Sequence, residues 1–152
     1  MMRYSAGIIP FRINNDNNKL EFFVGHPGGF GWENKNFWMF MKGHVENDEL
    51  LVDTALREFK EETGLTLDDV DTSMLIPLGT VVQNQSKRVA AYALYYPNID
   101  PEKCFSNPIE EDGVTPEIDA YKWISYDDIQ SVTHKTHLEF YKQIYDMVGF
   151  EE

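Results

Sequence analysis

Glu58, Glu61 and Glu62 stand within five residues of one another, on a stretch whose apolar positions Leu51, Val52, Ala55, Leu56 and Phe59 recur at helical spacing. Glu58 and Glu62 fall one helical turn apart at the edge of that apolar stripe, with Glu61 a step further round. Carboxylates crowded on one turn repel unless a proton or a cation sits between them. A cluster of hard oxygens favours Mg²⁺ or Mn²⁺. An ordinary solvated acidic face is the other reading of such a helix.

A helix must hold these carboxylates, and good helix formers run over residues 49–63 up to Gly64, which stands where a C-terminal cap is wanted. Ahead of it, residues 6–11 and 20–24 are apolar and 14–18 carry a turn signal, which predicts two strands joined by an exposed turn. His26-Pro27-Gly28-Gly29-Phe30-Gly31-Trp32 then mixes loop formers with large aromatics, before the short apolar run at 37–41. Phe30 and Trp32 either stack a base or pack their loop onto the domain.

Beyond the helix, residues 78–82 and 89–96 predict a hairpin with Lys87-Arg88 in its turn, where they either touch phosphates or are solvated charge, the simpler reading. Residues 101–116 read as a long acidic loop, whose Glu110 and Glu111, together with Glu117, are candidates for a late metal ligand or base, with solvated loop charge the simpler reading of each. Ser125 and Asp128 predict a capped short helix. Leu138, Tyr141, Ile144, Tyr145 and Val148 mark an amphipathic final helix, with His134 and His137 near its start as surface residues.

The chain has 152 residues, enough for a single domain over 1–152 with a real core, since 42% of it is hydrophobic and 14% aromatic. Acidic residues number 26 against 13 basic ones, for a formal net charge of -13. That balance excludes passive electrostatic binding to DNA or an anionic membrane, and means that phosphate would have to be met through cations. Cys104 is the one cysteine and shares no zinc-like spacing with the four histidines, which suggests a reducing, cytoplasmic compartment. No signal-peptide pattern opens the chain and no apolar run approaches a membrane span.

Gly43, five residues, Glu49, seven residues, Arg57-Glu58-Phe59, one residue, Glu61-Glu62, one residue and Gly64-Leu65 resemble the Nudix box at every fixed position, seven identities and two apolar sites over 23 residues. Ser5-Ala6-Gly7-Ile8-Ile9 and His26-Pro27-Gly28-Gly29 look like the opening of a MutT-like subgroup, and Pro116-Glu117-Ile118-Asp119 with Trp123 resembles its late strand. The resemblance to Nudix hydrolases implies an α/β/α sandwich around a mixed β-sheet. It implies a Mg²⁺- or Mn²⁺-dependent pyrophosphohydrolase that cleaves a nucleoside diphosphate linked to another moiety. Glu58, Glu61 and Glu62 would be metal ligands with the Gly43 carbonyl, Glu58 being alternatively the base that activates water. Arg57 would orient a box carboxylate through a bidentate pair, and Glu49 would support the loop or the metal site.

Lys42-Gly43-His44-Val45-Glu46 resembles the same stretch of asymmetrically cleaving diadenosine tetraphosphate hydrolases, which implies that Lys42 and His44 bind phosphate. Diadenosine polyphosphates are therefore the first expected substrates, with ADP-ribose-type compounds and (d)NTPs next. Met41 stands where Pro is common and Asp48 where Gly is common, so the loop that shapes the site departs from the family norm. A catalytically silent nucleotide sensor is the alternative in another class, and the complete set of box carboxylates favours the enzyme. The expected partner is a small nucleotide substrate, and the assembly a monomer or homodimer.

Overall fold

The computed structural model describes residues 2–109 and 112–149, so Glu110 and Glu111 lie outside the described residues. β1 (Arg3–Asn14) and β2 (Lys19–Pro27) pair antiparallel across a turn in which Asn18 takes a left-handed φ of 60°. β3 (Met41–His44) pairs antiparallel with the first half of β1, and α1 (Leu51–Thr63) follows it. β4 (Ile76–Asn84) and β5 (Lys87–Tyr95) form a second hairpin, and β5 lies parallel to β1 along its length. β6 (Ile118–Ser125) joins the outer edge of β2, and α2 (Tyr126–Ile129) and α3 (Leu138–Met147) come last.

The strands make one mixed sheet of six in the order β4-β5-β1-β2-β6, with β3 beside β1. Alternation along β1 sends Ala6 and Ile8 into a core with Ala55 and Phe59 of α1, and Ile9 and Phe11 into a core with Phe140, Tyr141 and Ile144 of α3. A helix therefore covers each face, which is the α/β/α sandwich that the resemblance implies. Gly64 ends α1 at φ 74°, where its N–H bonds the Lys60 carbonyl. The Ser125 hydroxyl accepts the Asp128 N–H and caps α2.

Three local readings differ. The β4–β5 turn closes before Lys87, because Asn84 Oδ1 accepts the N–H of Ser86, so Lys87 and Arg88 are strand residues facing Arg3 and Tyr4 across the parallel ladder. His137 is not on the surface: it is 2% exposed, with Nε2 2.9 Å from Gln83 Oε1. A 3₁₀ turn over Lys135–His137 precedes α3 and turns this side chain inward, which the period of α3 alone does not register. The apolar run at 37–41 extends into a strand only from Met41, with Met39 making an isolated bridge to Gly25.

Candidate active site

The end of α1 is anchored by one arginine. Arg57 Nε and Nη2 reach the two Glu49 oxygens at 2.9 Å each, Nη1 reaches Glu61 Oε2 at 2.7 Å, and Nη2 also donates to the His44 carbonyl at 2.9 Å. The planar fork thus ties the helix, the loop before it and β3 to one cation. Glu49 lies just ahead of the helix, where it also accepts the Glu46 N–H and the Thr54 hydroxyl. Hydrogen bonding to Arg57 holds its carboxyl down to about 2. Asn47 and Asp48 in this loop have φ 43° and 63°. Asp48, where glycine is common in the family, thus adopts the left-handed conformation that Asn and Asp tolerate.

Glu58 lies against β3 at Gly43, where an added Cβ would come within 1.9 Å of Glu58 Oε1. Only glycine permits that approach. Burial, then the charge of Glu61, pushes the Glu58 carboxyl up to about 7, against the pull of Arg57. Glu62 is 2% exposed and its Oε2 has no hydrogen-bond partner. Burial, Glu58 and Glu117 all raise its carboxyl well above the usual range. The Tyr121 hydroxyl donates to the Glu62 carbonyl at 2.5 Å and fixes the helix end against β6.

These carboxylates line a cleft of about 560 Å³ with Glu117, and Arg3, Lys42 and His44 line it too. In the sheet, Lys42 stands opposite Gly7, His44 opposite Ser5 and Arg3 opposite Lys87, so strands β3, β1 and β5 gather cations beside an acidic helix. Burial and the neighbouring Lys87 lower the Lys42 ammonium to about 8, and burial followed by Arg3 lowers His44. The structure thus brings Arg57, Glu58, Glu61, Glu62, Lys42 and His44 to one cleft, with Gly43 against Glu58. Arg3 carried no signal in the sequence that marked it for the site, whereas Lys87, a candidate phosphate contact in a turn, stands opposite Arg3 on the ladder and does not line the cleft.

Among the described residues, no three His, Cys, Asp or Glu side chains already form a metal-holding group. Arg57 draws Glu61 toward itself, and Glu58 shares a hydrogen bond with Glu62. The donor set nonetheless suits a hard divalent cation: Glu62 Oε2 is orphaned, and burial followed by neighbouring carboxylates raises both Glu58 and Glu62, which a positive charge between them would offset.

A model of the NUDIX domain matches residues 4–147. The chain belongs to the NUDIX family. The m7GpppN-mRNA hydrolase NUDT17 of Xenopus laevis is 52% identical over 40 residues, covering 26% of this chain and 14% of that protein. The m7GpppN-mRNA hydrolase of Saccharomyces cerevisiae is 26% identical over 105 residues, covering 68% of this chain and 10% of that protein. The matched stretch is thus a seventh or less of the length of these curated relatives. Among solved structures, a C. elegans Ap4A hydrolase binary complex has a TM-score of 0.67 at 20% identity, over 98% of this chain and 100% of that one. The NUDIX domain of Shewanella oneidensis NrtR, complexed with ADP ribose, has a TM-score of 0.69 at 14% identity, over 97% of this chain and 89% of that one. These structural likenesses establish the NUDIX fold. Among the described residues no helix is long and apolar enough to cross a membrane.

Proposed function

We propose that this NUDIX domain is a Mg²⁺- or Mn²⁺-dependent hydrolase of phosphoric anhydride bonds, acting on a nucleoside diphosphate linked to a second group. The observation that carries the proposal is the pairing, in one cleft, of under-neutralised carboxyls at Glu58 and Glu62 with the cations Arg3 and Lys42 and the imidazole of His44. The acidic wall suits a metal and the basic wall suits phosphate, so an anionic substrate can enter a protein of net charge -13.

Glu58 and Glu62, with the Gly43 carbonyl and Glu61, would hold the cation. When bound, it supplies a water of lowered pKa and neutralises charge on the phosphate oxygens. Arg57 keeps Glu61 and Glu49 in place, and Lys42 and His44 orient the phosphate chain from the opposite wall. A carboxyl at Glu58 that releases its proton near neutrality can also receive one from attacking water. The protein works in a reducing cytoplasmic compartment on this reading.

Dinucleoside polyphosphates are the first candidates, diadenosine polyphosphates among them. The local Lys42-Gly43-His44 pattern supports them, as does the likeness to an Ap4A hydrolase and to an m7GpppN-mRNA hydrolase. ADP-ribose-type compounds come second, because the NrtR domain carries ADP ribose. The test is product release from dinucleoside polyphosphates, ADP-ribose, nucleotide sugars and (d)NTPs, with Mg²⁺ or Mn²⁺ and with EDTA. One preferred, EDTA-sensitive substrate is expected. Nucleotide binding without turnover would replace the enzyme by a sensor.

A further inference from the structure

A second recess of about 770 Å³ adjoins the cleft, and its walls differ in kind. Ile109 lines both, and the saddle between them is the isolated bridge Pro108–Pro116, with Pro108 on the cleft side and Pro116 on the other. The recess is framed by the loop after β2. That loop is pinned at its root, where the Gly28 N–H donates to the Glu117 carbonyl at 2.8 Å and a Cβ on Gly28 would meet the Pro116 carbonyl at 2.1 Å. Further out, the N–H of Trp32 reaches the Gly29 carbonyl and the N–H of Lys35 reaches the Trp32 carbonyl, so the loop folds on itself and presents its rings. Trp32 leans on Phe37 at 5.2 Å between ring centroids, whereas Phe30 is 100% exposed.

A phenyl ring left wholly in water and lining a recess is an unused stacking surface. The charge of the recess narrows what it takes. Among the described residues Glu33, Asp112 and Asp119 line it and no Lys, Arg or His does, although Lys35 stands close by with its Nζ 5.1 Å over the Trp32 ring. A phosphate would be repelled there, so the anionic part of a ligand must lie on the Arg3–Lys42–His44 side and its neutral end here. The carboxylates differ in how far they are engaged. Both Asp112 oxygens accept donors from Val114 and Thr115, whereas Asp119 accepts through Oδ1 beside His26 and Glu33 accepts the Gly31 N–H through Oε2. A carboxylate accepts through both oxygens, so Glu33 and Asp119 can each take donors from a ligand.

We propose that this recess, walled by Phe30 and Trp32 and rimmed by Glu33 and Asp119, is a base subsite that prefers guanine. Guanine offers two adjacent N–H donors on one edge, which match one carboxylate. Adenine offers a single amino group there, and its neighbouring ring nitrogen accepts and would face the carboxylate unfavourably. The inference rests on the anhydride-hydrolase reading for what lies at the other end of the ligand, and adds the identity of one end.

The test has a binding arm and a kinetic arm. In metal-free buffer, GMP quenches the fluorescence of Trp32 more strongly than AMP, and ribose 5-phosphate leaves it unchanged; Trp32→Phe removes the response. With Mg²⁺, Phe30→Ala raises KM for a diguanosine polyphosphate by about tenfold. Glu33→Gln lowers the preference for diguanosine over diadenosine polyphosphate at least about fivefold. Phe30 has no buried contact to lose, so its replacement keeps the fold. Equal quenching by ribose 5-phosphate, or a KM unmoved by Phe30→Ala, overturns the subsite while leaving the hydrolase reading intact. Guanine-selective quenching in a protein that turns over no anhydride upholds the subsite and overturns the hydrolase reading.

Discussion

The acidic wall of the cleft comes from a single helix end and the loop before it, with Arg57 reaching Glu49 and Glu61 over eight and four positions. The basic wall is drawn from two strands, with Lys42 and His44 of β3 set beside Arg3 of β1 by the antiparallel register, and Lys87 of β5 standing opposite Arg3 outside the lining. The acidic wall is held by explicit hydrogen bonds, whereas the basic wall is held by sheet register and works through charge. Local assembly gives defined geometry, and assembly through the sheet gives a field.

That contrast predicts a ranking of effects. Glu62→Gln or Glu58→Gln removes an anionic donor from the defined wall, and turnover at saturating Mg²⁺ should fall about 10³-fold with an unchanged circular dichroism spectrum. Retained activity at limiting metal would end the assignment of that residue. Arg57→Lys keeps the charge and loses the fork, and is expected to lower kcat by about 10–100-fold, by analogy with the loss of supporting partners around metal ligands. An effect equal to that of a surface lysine swap would mean that charge alone matters on this wall. Lys42→Met should act more gently and mainly on KM, with a rise of about tenfold that shrinks as ionic strength increases. A large, salt-independent loss of kcat would show that the basic wall is as geometrically exacting as the acidic one.

A smaller effect concerns the back of the basic wall. Burial, then Lys42, His134 and Lys87, lowers His137 to about 3. Its folded value lies below the ordinary 6.5, so the unfolded chain binds the extra proton between those limits. The stability this confers is full above about pH 6.5 and declines as pH falls toward 3, by at most about 1.4 kcal/mol per pH unit from this group. His137→Gln should flatten the fall in Tm between pH 7 and pH 4.5, and an unchanged slope would mean that the wall carries no such strain.

The same division decides what could be read from the chain. The box carboxylates, Arg57 and Gly64 were legible because their chemistry repeats at helical spacing over a few turns. The role of Gly43 as the place where Glu58 lies against a strand needed the folded β3, although its spacing marked it. Lys87 looked like a turn residue because a two-residue shift in a hairpin leaves little trace in composition, yet that shift puts it on the ladder opposite Arg3. His137 looked exposed because only the 3₁₀ turn before α3 sends it inward. Phe30 and Trp32 were legible as aromatics in a loop, and the structure separates them: one ring leans on Phe37 and the other faces water.

The β1–β5 pairing also has a consequence in time. Its partners are roughly eighty residues apart along the chain, and closing so long a loop is entropically costly and slows folding. During synthesis, α1 and its carboxylates emerge well before Lys87 does. Arg3, Lys42 and His44 precede α1 in the chain, so both walls of the cleft are already made when β5 emerges, and what the late strand adds on docking is Lys87 opposite Arg3.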